Sequence, residues 1–213
     1  MLNIEFFRRI LVLGAHPDDG EFGAGATMAR FAEEKKEVFY AMFSLCEDSL
    51  PADYPRDTLR REALDSSRVI GIPESNLIFM NYPLRKFPDY RQEILEDMVK
   101  LRQDLKPDLV IMPSNQDLHQ DHAVIASEGW RAFKTCSIIG YESVRNNLTF
   151  TTHLFSRISS SQLEKKIQAV KSYKSQLFRS YFQESFIRAL AEVRGQQIDG
   201  KLAEAFEVKR III

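Results

Sequence analysis

The sequence carries four histidines, and three of them stand in two short clusters rich in aspartate. Ala15-His16-Pro17-Asp18-Asp19 follows one apolar run, and Asp117-Leu118-His119-Gln120-Asp121-His122 follows another; His153 lies apart. Imidazole and carboxylate are good ligands for Zn, and a catalytic Zn site takes three protein ligands and leaves one position for water. His16 and Asp19 are three residues apart across a turn that Pro17 fixes, close enough to chelate one ion. His119 and His122 are also three apart, at an expected helix start, which lets two side chains converge. Spacing alone leaves the ligand set open and does not separate Asp18 from Asp19. The competing reading is structural, with Asp18 and Asp19 capping the helix that begins near Gly23 and His119 and Asp121 forming a turn network.

The elements between the clusters decide whether they meet. Arg9 to Ala15 is a short, bulky apolar run, the mark of a strand buried on both faces. Met28, Phe31 and Ala32 recur at helical spacing within 24–36, and a second strand is expected over 38–45. Residues 57–70 read as a helix, with Asp57 as N-cap and Gly71 just past the end. A strand over 77–80 and a helix over 89–105 follow, the helix stopped by Pro107. A strand over 109–112 and a helix within 119–133 complete the alternation. This predicts a Rossmann-like α/β fold, a mostly parallel sheet with right-handed crossovers flanked by helices. Beyond residue 135 the pattern changes. Strands over 137–142 and 148–158, helices over 160–178 and 184–194, and a strand over 206–213 form a C-terminal strand and helix elaboration. Tyr173, Gln176 and Arg179 fall on the first of those helices. Without repeats or a low-complexity linker, residues 1–213 are expected to form one domain. Ligands of open parallel sheets bind at the carboxyl ends of strands, where both clusters stand.

Of the 213 residues, 44% are apolar and 28% charged, which excludes disorder and fibrous repeats. Lys and Arg total 29 against 30 for Asp and Glu, a net charge of −1. That balance argues against nucleic acid or an anionic membrane as the main partner and for a small molecule in a pocket. The first apolar stretch, Ile10 to Ala15, has six residues, far short of the roughly 20 that span a bilayer. His16, Asp18 and Asp19 follow where a signal peptide would need small residues, so a mature, soluble N-terminus and a cytoplasmic location are expected. Cys46 and Cys136 are too far apart for a disulfide framework or a zinc knuckle and read as small buried hydrophobes.

The segments AHPDDGEFGAGATMARF and DLHQDH resemble the two signatures of the LmbE-like, or PIG-L, family of metal-dependent N-acetylglucosamine-type deacetylases. Arg60-Arg61-Glu62-Ala63, Pro107-Asp108-Leu109-Val110 and Ala203-Glu204-Ala205-Phe206 extend the likeness over nearly the whole chain. Gly20 departs from it where the family is often acidic, which should loosen the metal-loop turn. Gln120 departs where the family has proline, changing how rigidly His119 is held.

The resemblance implies that His16, Asp19 and His122 ligate Zn and that Asp18 is the general base. It implies that a protonated His119 stabilises charge on the substrate carbonyl and that Asp121 orients this histidine. The implied reaction removes an N-acetyl group from an amino sugar or N-acetylglucosamine conjugate by Zn-activated water, and a homo-oligomer is implied as well. A non-catalytic sugar- or nucleotide-binding module on the same fold is the alternative, but such a module needs no base like Asp18 beside a metal. Two-metal phosphoester hydrolysis needs more ligands than these clusters supply.

For substrate contacts, Arg60 or Arg61 aligns near the family segment that reaches the substrate, against a plain solvated helix face. Arg85, Lys86 and Arg91 flank Pro83 and Pro88 in a loop where a basic group could meet a phosphate or carboxylate on the substrate, against the slightly favoured reading of a plain surface loop. Asp117 is placed to support His122. Gly23 and Gly25 read as close helix packing, since Met28 breaks the Gly-x-Gly-x-x-Gly pattern of a phosphate cradle.

Overall fold

Ile10, Leu11, Val12 and Leu13 are fully buried in the computed structural model, which describes residues 6–51 and 53–212. Successive side chains of a strand point to opposite faces, so both faces here must be covered. Ile10 and Val12 pack with Met28, Phe31, Leu59 and Ile167, whereas Leu11 and Leu13 pack with Ile94, Met98, Val124 and Ile125. Each such side chain contributes about 1.5–3 kcal/mol on burial.

The first nine elements alternate: β1 (Arg9–Gly14), α1 (Asp19–Glu33), β2 (Glu37–Met42), α2 (Thr58–Ile70), β3 (Leu77–Phe79), α3 (Arg91–Leu105), β4 (Leu109–Pro113), α4 (Gln120–Ala132) and β5 (Ser137–Tyr141). β6 (Leu154–Arg157), α5 (Ser160–Lys171), α6 (Glu184–Gln196) and β7 (Ala203–Arg210) follow. The sheet order is β3-β2-β1-β4-β5-β7-β6. β1 through β5 pair in parallel, and β7 runs antiparallel to both β5 and β6. The fold is therefore the mostly parallel, helix-flanked α/β sheet expected from sequence. Strand order reverses between β1 and β4, and a crevice opens at their carboxyl ends, where the two ligand-bearing loops leave the sheet.

Local chemistry sets the helix ends. Gly71 closes α2 at φ 99°, a left-handed conformation that glycine adopts without a Cβ penalty. Ser159 and Gln162 form a reciprocal capping box at the start of α5. The expected helix over 160–178 is shorter, because α5 stops at Lys171. Tyr173 leaves the helical path, and its hydroxyl donates to Glu21 at 2.8 Å. Ser175 then uses its N–H and hydroxyl on the Glu62 carboxylate at 2.8 and 2.6 Å. Tertiary hydrogen bonds thus replace the helical turns that apolar spacing suggested, and Tyr173, Gln176 and Arg179 do not share a helix. β6 covers only part of 148–158, and β7 begins three residues before the expected Phe206.

The small residues of α1 serve packing. A Cβ on Gly23 would lie 2.2 Å from Tyr141 Cδ2, and one on Gly25 would lie 3.0 Å from Lys166 Cγ. Cys46 and Cys136 are free and buried. No helix among the described residues is long and apolar enough to cross a membrane.

Candidate metal centre and active-site cavity

The loop after β1 folds back on itself, because the His16 N–H donates to Asp19 Oδ2 at 2.7 Å. Asp18 follows at φ 89°, in the left-handed region that non-glycine residues seldom occupy and that aspartate tolerates. Its side chain makes no capping bond to α1. The capping explanation for Asp18 is thereby removed, and a strained carboxylate is left facing the crevice. Gly20 is buried with its N–H on the Tyr40 hydroxyl at 2.9 Å, and a Cβ there would meet Tyr40 Cζ at 2.7 Å. Tyr40 therefore excludes an acidic side chain at this position.

Across the crevice, His119 caps α4 and its Nδ1 accepts from the Asp121 N–H at 3.2 Å. The His119 N–H donates to Asp117 Oδ1 at 2.9 Å, so two local bonds hold this residue while Gln120 is exposed. His122, two residues into α4, is buried.

Three donor groups converge. His122 Nε2 lies 3.2 Å from His16 Nδ1, His16 Nδ1 lies 3.4 Å from Asp19 Oδ2, and His122 Nε2 lies 3.3 Å from Asp19 Oδ1. A tetrahedral ion with ligands at about 2.0–2.1 Å needs ligand-to-ligand edges of about 3.3–3.4 Å. The donor set therefore fits one small divalent cation. The far nitrogen of each ring faces a carboxylate, His16 Nε2 to Asp121 Oδ2 at 3.0 Å and His122 Nδ1 to Asp117 Oδ2 at 2.7 Å. Donation of that N–H fixes the tautomer and leaves the near nitrogen's lone pair for a metal. His119 also offers a nitrogen within 4.8 Å of the other two histidines. However, its Nδ1 is engaged by the Asp121 N–H, and Asp19 lies 3.4 and 3.3 Å from the other two rings, with one carboxylate oxygen towards each.

This geometry corrects the expectation for Asp121. Its carboxylate holds His16 and accepts the N–H groups of Arg85 and Phe87 at 2.7 and 3.3 Å. Its hydrogen bond to His119 comes from its backbone N–H, and its carboxylate acts on that ring through charge alone. Removing either supporting carboxylate, as Asp117→Asn or Asp121→Asn, is expected to weaken metal affinity roughly 10- to 100-fold. Competition titration against a chromogenic chelator measures this; unchanged affinity in both variants would contradict the assigned support.

The electrostatics favour a cation. Burial alone would depress the His122 imidazole, but Asp19 and Asp117 overcome it and lift its pKa to about 10. Burial likewise opposes ionisation of Asp19, yet His122 and His16 hold its carboxyl far below the usual carboxylate range. Asp18 behaves oppositely: burial, with the neighbouring Asp19 and Glu21 charges, pushes its pKa well up. Burial, with His122 and His16, pushes His119 down to about 4. These surroundings disfavour the protonated His119 that the family resemblance implies. Because its Nδ1 accepts, its proton sits on Nε2, and the ring remains a hydrogen-bond donor.

These groups line a cavity of about 370 Å³ together with Leu59, Arg85, Arg145, Arg179 and Tyr181. Arg85 thus reaches the cavity, but Arg60 and Arg61 do not. The Arg60 guanidinium sits 5.0 Å from the Phe79 ring, and Arg61 pairs with Asp57 at 3.1 Å. Successive helical residues are rotated by about 100°, so the turn that aims Leu59 inward aims both arginines elsewhere. Three contributors had no sequence signal. Glu21, fully buried, gathers Tyr40, Ser66 and Tyr173 hydroxyls beneath the first turn of α1. Arg145 and Tyr181 come from segments without a motif.

Fold and site together define an α/β protein with a carboxylate-backed histidine centre at the switch point of its sheet. The chain belongs to the PIG-L family (GlcNAc-PI de-N-acetylase), whose model matches residues 11–133. It is 29% identical over 177 residues to YaiS of Escherichia coli, described as an uncharacterized deacetylase, covering 78% of this chain and 90% of that protein. The N,N'-diacetylchitobiose deacetylase of Pyrococcus horikoshii superposes with a TM-score of 0.80 at 20% identity, covering 96% of this chain and 84% of that one. GalB of Pseudomonas putida, a 4-carboxy-2-hydroxymuconate hydratase, superposes at 0.78 with 17% identity over 96% and 98% of the two chains. The shared architecture thus carries more than one chemistry, and function must be argued from the site.

Proposed function

We propose that this protein is a Zn-dependent hydrolase that removes the N-acetyl group from an amino sugar or N-acetylglucosamine conjugate. The observation that carries the proposal is the triangle of His16, Asp19 and His122, with edges of 3.2–3.4 Å, beside an uncapped Asp18. His16, Asp19 and His122 hold the metal. When bound, Zn supplies Lewis-acid chemistry, making water acidic near neutral pH and polarising the acetamide carbonyl.

Asp18 takes the proton of the attacking water, a task suited to a carboxylate whose affinity for protons is raised. The Nε2–H of His119 donates to the carbonyl oxygen as negative charge develops there. Burial and the neighbouring His122 and His16 disfavour a second proton on His119. Asp18, protonated in the first step, is then the group that returns a proton to the leaving amine.

Membership in a de-N-acetylase family supports the amide as the bond broken. The test is acetate release from a panel of N-acetylglucosamine conjugates by stripped and Zn-reloaded protein. The expected result is acetate and free amine in equal amounts from reloaded protein only. Full turnover by the stripped protein, or no acetate from any member of the panel, contradicts the proposal.

A further inference from the structure

We propose that Tyr40 is a positioning residue of this centre: its hydroxyl stands in for the N-cap of α1 and so releases the Asp18 carboxylate to act as base. The inference rests on the base role given to Asp18 above and names the residue that makes that role available.

A helix start leaves its first N–H groups without carbonyl partners, and an N-cap aspartate ordinarily accepts from the second or third residue. Asp18 holds the N-cap of α1, so Gly20 and Glu21 supply those two N–H groups. Neither goes to the Asp18 side chain. The Gly20 N–H donates to the Tyr40 hydroxyl at 2.9 Å, and the Glu21 N–H turns to its own carboxylate. A capping side chain reaches back over its helix from an extended backbone. Asp18 instead stands at φ 89° and ψ −25°, and it lines the cavity.

Tyr40 comes from β2, in register with Val12 of β1, and is fully buried. Its ring packs against both stems of the loop that carries His16, Asp18 and Asp19. A Cβ on Gly14 would lie 2.9 Å from its hydroxyl, and one on Gly20 would lie 2.7 Å from its Cζ. Its single proton goes to Glu21 Oε2 at 3.0 Å, which leaves the oxygen free to accept from Gly20. Glu21 Oε1 in turn accepts the Ser66 and Tyr173 hydroxyls at 2.6 and 2.8 Å. A phenol from the neighbouring strand thus supplies the acceptor that the helix would otherwise draw from its own aspartate. A buried N–H without a partner is costly, so loss of this hydroxyl gives the Gly20 N–H a reason to recapture Asp18.

Tyr40→Phe keeps the ring and removes the acceptor. In Zn-loaded protein assayed on methyl N-acetylglucosaminide, kcat should fall roughly 10- to 100-fold, with KM and Zn affinity unchanged. The same substitution made in Asp18→Asn, which has no base to divert, should cost nothing further in kcat. A crystal structure of Tyr40→Phe should show the Asp18 carboxylate on the Gly20 N–H. Glu21→Gln tests the same link even if Tyr40→Phe does not fold. Oε1 accepts two hydroxyls, so the amide nitrogen takes the place of Oε2 and donates to Tyr40, turning the phenol proton towards Gly20. The same loss of kcat and the same move of Asp18 are expected.

An unmoved Asp18 in the variant structure overturns the proposal. So does a loss of kcat that is equally large in Asp18→Asn, or one that follows a loss of Zn, since either would make Tyr40 a merely structural support. If Asp18→Asn loses turnover and Tyr40→Phe does not, the base role stands and this inference fails. If Asp18→Asn keeps wild-type turnover, the base role itself fails. Should no acetate be released at all, the deacetylase reading fails, and the position of Asp18 in the variant structure still decides whether Tyr40 replaces the cap.

Discussion

Asp18→Asn is expected to keep one metal ion per chain while turnover falls roughly 10²- to 10⁴-fold, the usual contribution of a general base. The expectation follows from where Asp18 stands. It lines the cavity but lies outside the triangle of His16, Asp19 and His122, and its side chain does not cap α1. Its left-handed backbone turns the chain between His16 and Asp19, placing the proposed base beside the proposed metal ligands without joining them. Burial and the charges of Asp19 and Glu21 raise its affinity for a proton, as a base that must later return that proton requires. Asparagine keeps the size and the backbone preference and removes only the ability to take up a proton. Metal content by elemental analysis and acetate release on the same preparation check both halves. A parallel loss of metal and activity would mean that Asp18 and Asp19 exchange roles.

The frame of this site was legible because its signals are local. Strands β1 and β4 are short apolar runs with no polar interruption, and the loops after them carry most of the chain's histidines. What was not legible lies across the fold. Asp121 stands two residues from His119, yet its carboxylate holds His16, 105 positions away, because the α4 start packs against the loop after β1. Tyr173 fits a helical pattern but leaves the helix to reach a buried Glu21. The arginines of the motif-bearing helix α2 pointed to substrate by resemblance, whereas the cavity takes Arg145 and Arg179 from the loops after β5 and α5, beside the Arg85 that the sequence did offer. Pattern reports which residues are apolar or reactive in sequence; which of them meet is settled by sheet order.

The second large effect separates the two histidines of α4. His122 sits between Asp19 and Asp117, with its Nε2 3.2 Å from His16 Nδ1, so His122→Ala removes one of the three proposed metal ligands. His119 spends Nδ1 on the Asp121 N–H and retains an Nε2–H for the substrate oxygen. Its loss should resemble loss of one oxyanion donor, roughly 10²- to 10³-fold in turnover, about 2.7–4 kcal/mol. The decisive measurement is Zn titration of stripped wild-type, His119→Ala and His122→Ala proteins. One tight site is expected in wild type, a site of similar affinity in His119→Ala, and sharply weakened binding in His122→Ala. Equal loss of Zn from both variants would make His119 a ligand and contradict the different roles proposed for the two histidines.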